Sequence, residues 1–371
     1  MPLVNVAELA ADLVAIDSIN PALVPGGAGE STIAAFIARW GAEQGLEVQL
    51  LERTAGRPSV LVTARGRGGG RTLALCGHMD TVGVDGMTDP HRPRRDGDRL
   101  YGRGTCDMKG GLAAALIAAR DAAARGVAGD VVVACVADEE HASLGVQEVV
   151  GQLRADAAVI TEPTRHEIIV AHKGFVWGEL TVSGVAAHGS RPELGVDAIV
   201  RAAPVLAGIG ALDAELAARD PDELLGCGSV HAGTIEGGSE PSSYPASCTI
   251  TVERRTLPGE TEATFAAELE ALAADGVSVR TGLTREPFAI DPGHELVRLT
   301  RELATAELGA APPLSGAPYW TDAAFLSAAG IPTLLFGPIG EGEHAVEEWV
   351  SVASLEAVTR TLIELATRFC V

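Results

Sequence analysis

An α/β layer interrupted by an inserted α+β domain is the fold predicted by this sequence of 371 residues. Three observations predict it. Apolar strands alternate with helical stretches over the first part of the chain, the order changes to βαββαβ after residue 173, and α/β alternation returns after Pro287. The length favours two domains, each able to bury its own core. The expected boundaries are 1–172 with 286–371 for the α/β domain and 173–285 for the insertion.

Apolar side chains at helical spacing predict helices at 6–17 and 29–44, and short β-prone runs predict strands at 48–51, 59–64 and 72–76. The alanine-rich stretch 110–124 reads as a helix. The almost wholly apolar run 131–137 and the run 157–160 suit buried strands. In the insertion, a strand at 174–183, a helix at 195–211, strands at 228–236 and 246–255, a helix at 261–274 and a strand at 277–283 follow the ferredoxin-like order. Helices at 294–308 and 322–329, a strand at 332–336 and a helix at 352–369 close the chain.

With 47% apolar and 21% charged residues, the composition excludes disorder and a collagen-like fibre. A net charge of -22 repels phosphates and anionic lipid, so neither nucleic acid nor membrane is expected as a partner. Residues 1–10 carry no basic segment followed by an apolar run, and no apolar stretch reaches the length of a membrane span, which predicts a cytoplasmic protein. Cys76, Cys106, Cys135, Cys227, Cys248 and Cys370 are scattered without CxxC pairing, which excludes a disulfide framework and a cysteine zinc knuckle.

Polar clusters follow the apolar strands of the α/β part, where open sheets form ligand sites. In Gly77-His78-Met79-Asp80, a histidine is followed at two residues by an acid, the spacing of a metal ligand and the carboxylate that fixes its tautomer. In Tyr101 to Gly111, the glycines fit neither GxxxxGK[ST] nor GxGxxG after a strand, which argues against a phosphate loop. Asp107 in that turn is instead placed to bridge two ions. Asp138, Glu139 and Glu140 end the most apolar strand, and three adjacent buried carboxylates repel one another unless a cation neutralises them. Glu162 follows the strand 157–160, and His344 stands beyond the strand ending at Phe336. Two histidines and several carboxylates without clustered cysteines suit zinc or another borderline divalent ion.

Together these motifs resemble the M20 family of metallopeptidases and deacylases, over Gly77–Val82, Gly102–Gly111, Asp138–Gly145, Thr161–Pro163, the insertion and Gly330–Val350. The resemblance implies a zinc-peptidase-like domain with a central mixed sheet flanked by helices, and a ferredoxin-like insertion that serves as lid and dimerisation domain. It implies two Zn2+ per subunit, with Co2+ or Mn2+ as substitutes. His78, Asp107 and Glu162 resemble the ligands of one ion, and Glu140, Asp107 and His344 those of the other. Asp80 resembles the acid that orients His78, and Glu139 the general base. In the insertion, His188 resembles the lid histidine that reaches the partner's site to steady the oxyanion, and Arg255 the arginine that grips a substrate carboxylate, with Arg254 as its rival. Many relatives have an asparagine after the Gly237-Gly238 pair, where this sequence offers Ser242. The implied protein is a homodimeric amidohydrolase acting on a small N-acyl amino acid, in the manner of acetylornithine deacetylase. A dipeptidase or carboxypeptidase with the same centre is the alternative, and a non-catalytic scaffold is disfavoured by the intact ligand set.

Overall fold

A computed structural model describes residues 6–371, which divide into two compact units. The first extends to Val170 and resumes over Ile290–Ser315 and Thr321–Val371, while the second comprises Ala171–Ala289 and Gly316–Trp320.

The first unit is built on a mixed sheet whose strands lie in the order Glu47–Leu51, Ser59–Ala64, Val131–Val136, Leu73–His78, Ala157–Ile160, Thr333–Leu335 and Ile168–His172. From Val131–Val136 to Thr333–Leu335 the neighbours are parallel, and the outer pairings are antiparallel. Every residue of these four parallel strands is buried, which is why they read as continuous apolar runs rather than alternating ones. His78 lies opposite Val136, Cys76 opposite Ile160, and Ile160 opposite Leu335. The segments leaving the carboxyl ends of these strands therefore emerge side by side, at the edge where such sheets hold ligands.

Helix Gly110–Arg125 packs against the closing helix Val352–Phe369 and against Val6–Val14. Its run of buried alanines permits close approach, and Gly126, in the left-handed conformation at φ 64°, ends it. The structure adds to the sequence expectation, which has no helix at Leu144–Val150 and no strand at Ile168–His172, and departs from it in further features. A small antiparallel sheet joins Arg94–Asp96, Arg99–Tyr101, Trp349–Ser351 and Gly340–Glu341. Its strands are too short, and Arg94–Asp96 too exposed, to leave a period-2 pattern. The predicted helix at 195–211 is two helices, Ala198–Arg201 and Ala203–Ala217, with Pro204 in the first turn of the second, where its missing N–H costs nothing.

The second unit has strands ordered Ser229–Gly237, Ser247–Thr256, Gly174–Ser183, Val277–Arg285, all antiparallel, the arrangement expected of βαββαβ. Alternate residues of Gly174–Ser183 and Ser247–Thr256 are buried. Val176, Leu180, Val182, Ile250 and Val252 share the core with Phe265, Leu269, Val205 and Ile209 of the helices. Among the described residues no helix is long and apolar enough to cross a membrane.

Candidate metal centre and active site

His78 is the last residue of its strand and is buried; its Nδ1 donates to the main-chain oxygen of Asp80 at 3.0 Å. That bond fixes the ring with Nε2 facing the acids, the nitrogen a metal ligand must present. The Asp80 carboxylate stands farther off, with Oδ1 3.7 Å from Nδ1. It instead accepts the backbone N–H groups of Glu139 at 3.1 Å and Glu140 at 3.3 Å. Asp80 thus orients His78 through its carbonyl and the acidic turn through its side chain.

The turn itself starts with Asp138 in the left-handed region at φ 65°, a conformation Asp tolerates better than most residues. Its Oδ1 accepts from Asn20 Nδ2 at 2.9 Å and from Arg57 Nη2 at 2.8 Å. Asn20 Nδ2 also donates to Asp80 Oδ2 at 2.8 Å, so one amide group ties the His78 segment to the acidic turn. Arg57 in turn forms a fork with Glu30, at 2.6 and 2.7 Å. Asn20, Glu30, Asp80 and Asp138 are all fully buried. Sequence reading missed Asn20, Glu30 and Arg57, because they sit in loops or at a helix start without periodic pattern or motif spacing.

Asp107 completes the geometry. Its Oδ1 is 2.9 Å from His78 Nε2, and its Oδ2 is 3.4 Å from His344 Nε2. His344 Nε2 is 3.0 Å from Glu140 Oε2, and His78 Nε2 is 3.8 Å from Glu162 Oε1. The two oxygens of one carboxylate therefore face two histidines, each with its own glutamate. His78, Asp107 and Glu140 each offer a ligand atom within 4.8 Å of the others, and so do His78, Glu139 and Glu162. His344 sits on a loop at φ 59° and its side chain is 58% exposed, unlike the buried His78.

The charges show what the cluster lacks. Burial pushes the carboxyls of Glu139, Glu140 and Glu162 above the ordinary carboxylate range, Asp322 adding to Glu139 and Asp107 to the other two. His344 is raised to about 10 by its hydrogen bonds to Asp107 and Glu140. His78, despite its burial, is held well above its usual value by Asp107 and Glu162. Protons are here held where positive charge is needed, and the donor set of two imidazoles and hard carboxylates fits divalent zinc-like cations. Asp322, buried beside this cluster in its charge effect on Glu139, was hidden in the sequence as an ordinary residue at a helix start.

In the second unit, His188 is exposed, and its Nδ1 accepts the N–H of Ser190 at 3.2 Å. The ring proton is thereby assigned to Nε2, free to donate outward. Gly189 N–H donates to Ser242 O at 2.7 Å, so the structure brings the His188 and Ser242 loops together. Arg254 is fully buried, paired with Glu260 at 2.8 Å and Glu268 at 3.0 Å. Strand alternation turns Arg255 to the other face, where it is partly exposed, bonded to Glu253 at 2.7 Å and stacked on Phe175. Of the two arginines, Arg255 is the one not locked into the interior.

The model of peptidase family M20/M25/M40 matches residues 74–368. The chain belongs to that family. Acetylornithine deacetylase of Proteus mirabilis (strain HI4320) is 29% identical over 380 residues, spanning 98% of this M20 chain and 96% of the relative. Acetylornithine deacetylase of Myxococcus xanthus is 32% identical over 324 residues, 82% of each chain. Among solved structures, aminopeptidase PepT from Bacillus cereus has a TM-score of 0.80 at 21% identity, covering 98% of both chains. The Bacillus subtilis YXEP protein, described as a dinuclear metal-binding peptidase of the M20 family, has a TM-score of 0.75 at 17% identity, covering 98% of this chain and 97% of that one. These two share the fold. Family membership and the deacetylase relatives make this M20 chain a metal-dependent hydrolase of amide or peptide bonds.

Proposed function

We propose that the protein is a two-zinc amidohydrolase that removes the acyl group from a small N-acyl amino acid of the N-acetylornithine type. The observation that carries this reading is Asp107, whose two carboxylate oxygens face His78 at 2.9 Å and His344 at 3.4 Å. In this reading His78, Asp107 and Glu162 hold one ion, and Asp107, Glu140 and His344 hold the other. Two such cations, when bound, polarise the amide carbonyl and acidify water for attack.

The chain's own residues supply the rest. Glu139, anchored through its N–H to Asp80, takes the proton from the attacking water and delivers it to the departing amine. His188, with the Nε2 proton directed outward, donates to the oxyanion as the carbonyl carbon becomes tetrahedral. Arg255, whose planar fork matches a carboxylate, holds the α-carboxylate of the substrate, and Ser242 lines the same loop pair as His188.

The second unit also supports assembly as a homodimer, with its His188 serving the partner's site. Ile199, Val200, Leu206 and Ile235 are large apolar residues left exposed on its helices and on Ser229–Gly237, a strand whose outer edge is unpaired within the described sheet. Light scattering is expected to return the mass of a dimer.

A substrate panel tests the activity: zinc-loaded protein is presented with N-acetylated amino acids and with unblocked dipeptides and tripeptides. Faster turnover of N-acetyl substrates, N-acetylornithine among them, is expected. Preference for peptides would overturn the substrate assignment and favour a peptidase.

A further inference from the structure

Glu348 lies four residues beyond His344, and only 1% of its surface is exposed. Its Oε1 accepts the N–H groups of Cys106 at 2.8 Å and Asp107 at 3.0 Å. Its Oε2 accepts the N–H of Gly104 at 2.8 Å and Nη1 of Arg103 at 2.7 Å. A single carboxylate thus accepts three amides of one loop with a buried guanidinium beside it, and such converging backbone dipoles favour an anion. Arg103, itself buried, also donates from Nη2 to the carbonyl oxygens of Ala345 at 2.9 Å and Gly83 at 3.1 Å. The main chain closes the same junction, with Gly102 N–H donating to Glu348 O at 3.1 Å.

This junction joins the loop that presents Asp107 to the loop that presents His344. Neither ligand residue has regular helix or strand geometry of its own. Asp107 and Met108 depart from helical geometry, and His344 is a left-handed residue on an exposed turn. Among the ties between these two backbones, which include Arg103 to Ala345 O and the pairing of Trp349 with Tyr101, the Glu348 carboxylate is the one that accepts the N–H of Asp107 itself. We infer that Glu348 is a positioning residue that sets Asp107 and His344 against each other as ligands of one ion. The inference rests on the metal-site reading given above, in which those two side chains share a cation.

The test is zinc titration of chelator-stripped protein against a chromogenic competitor, with cooperative melting as the check on folding. Glu348→Gln keeps the size of the side chain but turns an NH2 group towards donors, and is expected to weaken zinc binding about tenfold to a hundredfold, the range for groups that orient ligands. Glu348→Asp, which keeps the charge on a shorter stem, is expected to recover part of that loss, and it carries the test if the glutamine variant does not melt cooperatively. Glu347→Gln, at the exposed neighbouring position, is expected to bind as wild type does. In a His344→Ala background, the further loss caused by Glu348→Gln is expected to shrink at least about threefold, because residues that act through one another are not additive. Wild-type affinity in Glu348→Gln, or equal losses with and without His344, overturns the inference. If the wild-type protein itself takes up no zinc, the metal-site reading is what has failed.

Discussion

Replacing Asn20 with alanine removes one amide that serves two buried carboxylates, Asp80 Oδ2 at 2.8 Å and Asp138 Oδ1 at 2.9 Å. Hydrogen bonds to charged groups contribute about 1.5–3 kcal/mol each. Both acceptors keep other partners: Arg57 at 2.8 Å for Asp138, and the N–H groups of Glu139 and Glu140 at 3.1 and 3.3 Å for Asp80. The loss is therefore expected at the low end for both, about 3 kcal/mol in total. At about 2–4 °C per kcal/mol for a unit of this size, the metal-stripped protein should melt roughly 6–12 °C below wild type. The functional effect follows from the same geometry, because Asp80 positions both His78 and the turn bearing Glu139 and Glu140. Zinc affinity is expected to fall about tenfold to a hundredfold. Circular dichroism melts of the stripped protein and competitive zinc titration read the two effects separately. An Asn20→Ala protein that melts within about 2 °C of wild type and binds zinc equally well would refute the role assigned to this amide.

Glu139→Gln is expected to leave zinc content nearly intact and lower kcat at least about a hundredfold, whereas Glu140→Gln lowers zinc occupancy; metal analysis beside steady-state kinetics separates them, and identical behaviour would refute the division of labour. In the stripped protein the His344 imidazole is held up to about 10 by its hydrogen bonds to Asp107 and Glu140, so it carries a proton near pH 8 that zinc must displace. Zinc affinity should therefore rise with pH through that range, with proton release visible by calorimetry in buffers of different ionisation heat; zero release would contradict it. The same raised value means that the contribution of protonated His344 to the stability of the stripped protein is complete below 6.5 and is lost as the pH rises through about 10, so its melting temperature should fall over that interval. Mixing His188→Ala with Glu139→Gln protein is expected to restore activity up to about a quarter of wild type through hybrid dimers, and no recovery after verified subunit exchange would place His188 outside the partner's site.

The parts of this molecule legible in its sequence are those where one local signal sufficed. The strands at Ser59–Ala64, Ala157–Ile160 and Gly174–Ser183 lie where their apolar or alternating runs predict them. His78, Asp138 to Glu140 and Glu162 stand out because polar residues follow abruptly on buried parallel strands, and that topology then gathers them. What stayed hidden depends on contacts between distant segments. Asn20 meets Asp138 across 118 positions, and Glu348 meets Asp107 across 241, neither with a spacing that could announce it. The rivalry of Arg254 and Arg255 was unresolved for a different reason. Adjacent residues of a strand face opposite ways, and only the strand's neighbours decide which face is covered.

The most direct measurement of the metal centre is a crystal structure of zinc-saturated protein with anomalous differences recorded at the zinc edge. Two peaks about 3.5–4 Å apart are expected, with Asp107 between them, His78 and Glu162 on one, and Glu140 and His344 on the other. A single peak, no peak, or zinc held away from Asp107 would contradict the two-ion reading of this site.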